Sequence, residues 1–525
     1  METRILRSTL WIFLMLLFLA TSAPGQDSGQ IPPVVQEGES TTEIHLSLDE
    51  AVRIALERNL DVRIEHLTRN KSRSDITIAS AAFDPLFSTS YTMSKLRSPT
   101  VDFLAGVGAA LQSTVVVNPS TNQNVNVGLS GLLQTGTTYS LSLFGARQDN
   151  PESAFFSINP RHNTRVRAEI TQPLLKGFGL NANLADLRIA RHNAEISEHR
   201  LRRLWETTVA DVNNAYWTLV FAREDLRVKE EGMREAEQLL EINRHKVAVG
   251  TAKEIDIIDA EANIQNQKSG IIDAKNQIRQ AQDDLLDLLN YQEILNEEQS
   301  RNEHSGHALY VDVQVIPSSR LEYEEFPVGL EDAIFLALNQ RHDLQEAELQ
   351  ISNARLEYNR RKNQRLPSLD VRGTWTQQGL EGNLGNSTDE LFSGRFYNWT
   401  LGVTFEYPLG NRREKNLFFQ AGADLESSDL SYERLRNSII LQVTQAVRNI
   451  DAAAQRIETT RATTRLRGEQ LEGEKQRLRV GSSTSYNVLQ VQNDLLEAQI
   501  EEVRSGMDYK NAITAFKVAV GTIIE

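Results

Sequence analysis

Two aspartates, Asp256 and Asp259, have a type and a spacing that could do chemistry. Residues three apart share one face of a helix, so both carboxylates would point in the same direction. A carboxylate pair can act as general acid and general base in hydrolysis, and it can also draw cations toward an aqueous passage. A third interpretation is two charges on a solvated helix face.

A catalytic role for this pair lacks the usual companions. No nucleophile stands near it in the sequence, and we find no phosphate-binding glycine loop. The nine histidines do not have the spacing of metal ligands, and His192 and His199 are expected to be solvated. We therefore expect no catalytic residue, no metal and no cofactor.

The aspartates lie just after a turn between two long helical stretches. The stretch 181–249 contains one glycine and no proline. At ~1.5 Å per residue it would form a helix on the order of 100 Å, which must pack lengthwise against other helices. Val249-Gly250-Thr251 would end this helix, and a second helix would complete a hairpin over 181–290.

The hairpin occurs twice in the sequence. Val480-Gly481-Ser482 repeats the turn at Gly250, within a second hairpin over 416–520. Upstream, Leu48-Asp49-Glu50-Ala51 returns as Leu330-Glu331-Asp332-Ala333. The prediction is a duplicated chain, with a first structural repeat, a linker and a second repeat over 46–290, 291–327 and 328–525.

Between the helices of each repeat, the hydrophobic period changes to that of β-strands, over 84–173 and 368–408. Trp399, Leu401 and Val403 alternate with polar residues, and the opposite face is polar or charged. The apolar face would form the core of a soluble sandwich, but in a membrane barrel it would face lipid. Proline disfavours helix at and before its own position, so four prolines would mark helix–strand junctions. They are Pro85, Pro173, Pro367 and Pro408.

The N-terminus predicts export from the cytoplasm. Arg4 and Arg7 precede an apolar run over 10–20 and then small residues, which is typical of a signal peptide over 1–25. A flexible N-terminus is expected over 26–45. The chain has no cysteine, so we expect neither a disulfide nor a cysteine-borne lipid, and its net charge of −15 argues against a nucleic-acid partner.

The duplicated helix motif, the proline-marked junctions and the Val-Gly tips together resemble the TolC-type outer-membrane efflux family. The resemblance covers about Leu46 to Gly521. It implies an α+β membrane protein with a transmembrane β-barrel shared by a homotrimer and continued by a long coiled α-helical barrel across the periplasm. Twelve strands are implied. The hairpin over 125–144 would be an external loop or two added strands, which would make eighteen.

The resemblance also implies a function and partners. The protein would be a trimeric outer-membrane exit duct of a tripartite efflux or type I secretion system. It would contact outer-membrane lipid, a periplasmic adaptor protein and an inner-membrane pump of the RND, ABC or MFS type. Asp256 and Asp259 would form acidic rings that constrict the channel, whereas repeat two has Asn487 and Gln490 at the matching positions. The adaptor would contact the tips, Val249, Gly250, Thr251, Ala252, Val480, Gly481, Ser482 and Ser483.

Two other classes of protein remain open at this point. A secreted coiled-coil scaffold or adhesin with small β domains would have the same helical hairpins. It would be soluble without detergent. An exported hydrolase would use Asp256 and Asp259 as its acid and base.

Overall fold

The computed structural model describes residues 42–100, 116–150, 157–291 and 313–524. The predicted signal peptide over 1–25 lies outside the described residues. So do most of the predicted flexible N-terminus and much of the predicted linker.

Helices make up most of the described chain. Two of them, α4 with 64 residues and α9 with 68, each extend roughly 100 Å. The helices are α1 (Leu48–Arg58), α2 (Leu60–Ser80), α3 (Leu180–Asn183), α4 (Ala185–Ala248), α5 (Glu254–Leu288), α6 (Leu330–Gln340), α7 (His342–Gln364), α8 (Leu384–Phe392), α9 (Arg412–Arg479) and α10 (Ser485–Val520).

The strands of the described chain form two sheets. A small parallel sheet pairs β1 with β6, and a larger antiparallel sheet has the order β2-β3-β4-β5-β7-β8. The strands are β1 (Thr42–Leu46), β2 (Leu86–Thr100), β3 (Val116–Leu132), β4 (Thr138–Asp149), β5 (Arg161–Pro173), β6 (Val313–Pro317), β7 (Ser368–Glu381) and β8 (Tyr397–Glu406).

The long helices lie side by side as a single layer. In the half nearer the large sheet the order is α2, α4, α7, α9, and in the other half it is α5, α4, α10, α9. Helices α4 and α9 therefore run through both halves, while shorter helices fill the spaces beside them. Within one described chain, α9 forms one edge of this layer, and α2 and α5 form the other.

The duplication is visible in the packing as well as in the sequence. In repeat one, Ala51 and Ala55 of α1 pack with Val212 of α4 and Leu285 of α5. In repeat two, the matching side chains do the same in a second core, and both cores lie where the two halves of the helix layer meet. Those matching residues are Ala333, Ala337, Val443 and Phe516.

The first helix differs from its prediction. The apolar stripe after Ser47, with Val52, Leu56 and Leu60, predicts one helix to about Ala82. The structure breaks it at Asn59, whose backbone is extended with φ −55° and ψ 132°. The Asn59 side chain accepts hydrogen bonds from the N–H groups of Asp61 and Val62 at 2.9 and 3.2 Å. Asn59 therefore caps α2, a role that its short polar side chain performs better than helix continuation.

The expected flexible N-terminus over 26–45 is wrong at its C-terminal end. Thr42–Leu46 forms β1, which pairs with β6, a strand of the predicted linker. The Tyr216 hydroxyl donates a 3.1 Å hydrogen bond to the Leu46 carbonyl. Pairing with β6 and the hydrogen bond from the buried Tyr216 therefore order this segment. Both partners are distant in the sequence, so the segment itself does not reveal them.

The hairpin over 125–144 joins the large sheet instead of forming an external loop. It consists of the C-terminal part of β3, the turn after it and the N-terminal part of β4, with Val127 opposite Leu143. One described chain therefore contributes six strands, and the sheet ends at two open edges, β2 and β8. An open edge exposes unpaired backbone N–H and C=O groups, which invites pairing with another strand.

The two faces of the large sheet have opposite character. On one face Trp375 lies opposite Trp399 and Val371 opposite Val403, and β8 is about two thirds exposed along this side. The other face is charged, and Glu169 accepts 2.7 Å hydrogen bonds from the arginines beside it. Those arginines are Arg167 and Arg372.

Candidate functional site

The two predicted tips have the same backbone geometry. Gly250 has φ +75° and Gly481 φ +78°, and each follows a long helix directly. In the first tip the Gly250 N–H binds the Val247 carbonyl at 3.0 Å and the Thr251 N–H binds the Lys246 carbonyl at 2.8 Å. This pair of hydrogen bonds is the Schellman ending of a helix, in which the residue with positive φ is usually glycine.

The second tip repeats these bonds one for one. The Gly481 N–H binds the Leu478 carbonyl at 3.3 Å, and the Ser482 N–H binds the Arg477 carbonyl at 2.9 Å. Val249 and Val480, one residue before each glycine, are 74% and 78% exposed. Each tip therefore has an exposed valine on a turn that two backbone hydrogen bonds hold. The remaining tip residues are exposed or half-buried: Thr251, Ala252, Ser482 and Ser483.

Asp256 is part of the fold at the first tip. It is the third residue of α5, and its carboxylate accepts a 3.0 Å hydrogen bond from the Lys253 N–H, which would otherwise lack a partner at the helix start. Asp259 lies one turn further along α5, and both aspartates are half-buried. The two aspartates therefore lie together on one helix as predicted, and Asp256 has in addition a capping role that was not predicted.

The second tip caps its following helix at a different backbone group. Thr484 occupies the position before α10, and its hydroxyl accepts from the Asn487 N–H at 3.3 Å. At the first tip the capped group is the N–H of Lys253, one position before α5, so the two side chains satisfy different donors. Asn487, which matches Asp256, carries no charge.

A buried polar cluster holds the two tips together. Asn243 of α4 is completely buried, its amide donates to the Asp256 carbonyl at 2.9 Å, and its oxygen accepts from the Ser485 hydroxyl at 2.7 Å. The Lys246 ammonium reaches the Leu478 carbonyl at 3.4 Å. The contacts with Ser485 and Leu478 cross from repeat one to repeat two, and no local sequence signal could have identified them.

The four junction prolines lie where helix and strand meet. Pro85 follows a short 3-10 helix and precedes β2, and Pro173 is the last residue of β5. Pro367 directly precedes β7, and Pro408 follows β8. The Lys176 N–H binds the Pro367 carbonyl at 3.2 Å, so the junctions of the two repeats are hydrogen-bonded to each other.

His192 and His199 were expected to be solvated, and this expectation is wrong. Both lie on the face of α4 that packs against α7. His192 Nδ1 is 2.9 Å from Asn353 Oδ1, and His199 Nδ1 is 3.2 Å from His342 Nδ1. The sequence could not reveal this because the partner helix comes from the other repeat.

A titratable cluster surrounds that histidine contact. Glu206 Oε1 lies 3.9 Å from His342 Nε2, and burial raises the pKa of Glu206 to about 7, against the opposing effect of Arg341. Burial also lowers the pKa of both His199 and His342. Near neutral pH both histidines therefore favour their neutral forms, and Glu206 is only partly ionised.

Within the described ranges, no group of three or more histidine, cysteine, aspartate or glutamate side chains is arranged to hold a metal ion. Among the described helices, none is long and apolar enough to cross a membrane.

Several solved outer membrane channels have a fold similar to that of this chain. Among solved structures, the CmeC outer membrane channel of Campylobacter jejuni superposes with a TM-score of 0.64 at 16% identity, over 96% of this chain and 94% of that chain. The MtrE outer membrane channel of Neisseria gonorrhoeae, in its open state, gives 0.62 at 16% identity over 90% and 88%. VceC of Vibrio cholerae gives 0.59 at 14% identity over 90% and 96%. These structures confirm the predicted TolC-like fold.

Sequence comparison gives the family directly. No curated protein matches this chain. The model of the family described as outer membrane efflux protein matches residues 138–291 and 333–522, one segment in each repeat. The matched segments cover more than half of the sequence, and the chain therefore belongs to the outer membrane efflux protein family.

Proposed function

We propose that three copies of this chain assemble into a passive exit duct, the outer-membrane part of a tripartite efflux or type I secretion system. The protein is an outer-membrane channel of a family that performs transport and not catalysis. The proposal adds the trimer, the partners and the conduction path. A periplasmic adaptor would bind the tips, and an inner-membrane pump would supply the energy.

The open edges of the large sheet are the observation that carries this proposal. A closed barrel needs about eight strands before its interior can hold even side chains, so one chain's six-stranded sheet is too small to close alone. Three such sheets, joined edge to edge through β2 and β8, would make a wall of eighteen strands. The edges of the helix layer, α9 on one side and α2 with α5 on the other, would close in the same way.

The faces of the sheet support a membrane position for this wall. Along β8, aromatic residues lie at both ends of the apolar side, at Tyr397 and Tyr407, with Leu401 and Val403 between them. Ten residues of strand, tilted by about 40°, span roughly 25 Å of height, which matches the apolar band of membrane barrels. The charged face with Glu169 and Arg372 would then line the aqueous interior.

The proposal also assigns roles to the two tips and to the two aspartates. Val249 and Val480 project from rigid turns at the end of the helix layer, which suits them to contact an adaptor protein. Three copies of Asp256 and Asp259 would ring the entrance and favour cations. Asp256 would serve this role through the carboxylate that also caps α5.

Purification from the outer membrane tests the proposal. We expect the protein to require detergent, to have the mass of three chains in solution, and to conduct ions after reconstitution into planar bilayers. Recovery as an elongated soluble monomer from the periplasm would overturn the duct and favour the secreted scaffold. The family match gives that alternative no support.

A further inference from the structure

Helix α8 lies on the apolar face of the large sheet. Thr164 of β5 is paired with Gly379 of β7. Alternate residues of a strand share one face, so Thr164 lies on the face of Ala168, and Gly379 lies on the face of Trp375. Both are therefore on the apolar face. The Thr164 hydroxyl donates to the Ser387 carbonyl of α8 at 2.8 Å. A Cβ at Gly379 would collide with the same carbonyl oxygen, so the helix rests directly on the strand.

The contact side of α8 is narrow. Ser387 and Leu391, one turn apart, are fully buried or nearly so, and the Ser387 hydroxyl donates to the Gly379 carbonyl at 3.0 Å. The Gln377 side chain, also on the apolar face, donates to the Leu391 carbonyl. The helix is therefore held firmly on the sheet, and its orientation is fixed.

The two flanks of α8 differ sharply. The polar flank carries Asp389 and Glu390, and Glu390 accepts a 3.0 Å hydrogen bond from the Leu380 N–H. The other flank carries Leu384 and Phe392, which lie about 80° apart around the helix and are 57% and 77% exposed. Nothing within the described chain covers these two side chains.

The register of the contacts shows which end of α8 lies toward the apolar band. Glu390 binds the backbone at Leu380, toward the end of β7, whereas Leu391 contacts Gln377, two residues from Trp375. Since Gln377 binds the main-chain carbonyl of Leu391, the C-terminal end of α8 with Phe392 lies toward the apolar band, which includes the Trp375–Trp399 pair. The exposed Phe392 side chain therefore lies at the outer end of this band.

We propose that α8 is an interfacial helix that inserts Leu384 and Phe392 among the acyl chains at the outer rim of the membrane. Amphipathic helices bind at this depth, with the apolar flank in the acyl region and the charged flank in water. The Arg395 guanidinium lies 5.3 Å from the Phe396 ring just beyond the helix, where it suits the headgroup level. This inference rests on the proposed placement of the strands in the membrane.

The absence of cysteine from this chain makes the inference directly testable. Single variants Phe392→Cys and Leu384→Cys, labelled with an environment-sensitive fluorophore, would be reconstituted as the assembled protein into phosphatidylcholine vesicles. Part of the lipid would carry a nitroxide on the acyl chain near its carbonyl end. Asp389→Cys on the polar flank is the matched control, and Val403→Cys on the band is the positive control. Near-ultraviolet circular dichroism checks the fold of each variant.

We expect the labels at Phe392 and Leu384 to be quenched by the lipid nitroxide several-fold more than the label at Asp389. A water-soluble quencher should reverse that order. If Val403 is quenched by lipid but Phe392 and Leu384 behave like Asp389, the interfacial helix is refuted while the duct stands. If Val403 is not quenched either, the strands do not lie in the membrane, and both the proposed function and this inference fail.

Discussion

The Ser485 hydroxyl donates a 2.7 Å hydrogen bond to Asn243 Oδ1, joining residues 242 positions apart in the sequence. Asn243 belongs to the first repeat and Ser485 to the second, and both are buried beside the tips. A buried polar contact therefore helps to hold the two helical hairpins in register.

Replacing Asn243 by alanine should destabilise the tips. The change removes two hydrogen bonds and leaves the Asp256 carbonyl and the Ser485 hydroxyl without their partner, which costs about 2–3 kcal/mol. Hydrogen exchange at the amides of residues 250–257 measures the effect. Glu241→Ala, an exposed change on the same helix, is the control, and equal exchange rates in the two variants would show that the contact contributes nothing.

Gly250→Ala and Gly481→Ala should each cost about 1 kcal/mol of stability, from backbone strain alone. A Cβ at either position would meet no atom within 4 Å, so the cost comes from φ near +75° and not from a clash. Gly473→Ala inside α9 is the matched control. It also has open space and lacks a positive φ, and it should stabilise the helix by about 0.5–1 kcal/mol. Thermal melting that shifts all three variants in the same direction would contradict this account.

The exposed valines test the adaptor contact. Val249→Glu and Val480→Glu should leave the stability of the duct within about 0.5 kcal/mol, because both side chains are largely in solvent. Each should weaken binding of the adaptor protein by placing an unpaired charge in the interface. Co-purification of the complex from cells measures this, with Glu472→Gln on the exposed side of α9 as the control. Unimpaired binding by both valine variants would place the adaptor elsewhere.

Asp256→Asn separates charge from capping. Asparagine keeps an oxygen that can accept from the Lys253 N–H, so the helix start should survive while the charge is lost. With Asp259→Asn, the double variant should show reduced cation selectivity in planar bilayers. Unchanged reversal potentials would reject the acidic ring without rejecting the duct, and Asp256→Ala would report separately on the cap.

Glu206 should make stability depend on pH. Its folded pKa of about 7 lies above the unfolded value of 4.5, so its contribution is fully present below pH 4.5 and is lost as the pH rises through 7. Glu206→Gln should therefore raise stability above pH 7 by about 1–2 kcal/mol, after allowance for solvent screening, and change little near pH 4.5. Thermal melts at several pH values measure the effect. Lowered stability of the variant at high pH would mean that Glu206 is charged and paired, with Arg341 or Arg203 as its partner.

The histidine pair adds an effect of opposite sign. His199 and His342 have folded pKa values below the unfolded 6.5, so their contribution is lost as the pH falls below 6.5. Protonation of both would bring two Nδ1–H donors face to face at 3.2 Å. Measurements on the Glu206 variant should therefore compare each pH with the parent chain at the same pH, so that the histidine effect cancels.

The sequence predicted the parts of this fold that rest on local signals. Gly250 and Gly481 identified the tips because a turn with positive φ needs glycine, and the junction prolines lie where helices give way to strands. The duplicated motif of α1 and α6 predicted a duplicated chain, and the structure has an equivalent core in each repeat. Each of these signals is local: it lies within a few residues of the feature it marks.

What the sequence did not predict depends on partners distant along the chain. His199 was expected in solvent because nothing near it in the sequence shows that α7 covers it. Asn243 has the ordinary polar character of a solvated helix, and only the arrival of α5 and α10 makes it a buried bridge. The capping role of Asp256 did have a local signal, since Lys253 cannot itself cap α5 and an acid follows three residues later.

The two open edges of the sheet make each chain bivalent. In the proposed trimer, a copy with a defective β8 edge but an intact β2 edge would join one neighbour and leave the ring unclosed. Such a copy would act dominantly over intact chains made in the same cell. With equal amounts of both, random assembly of three would leave only roughly one ring in eight free of the defect.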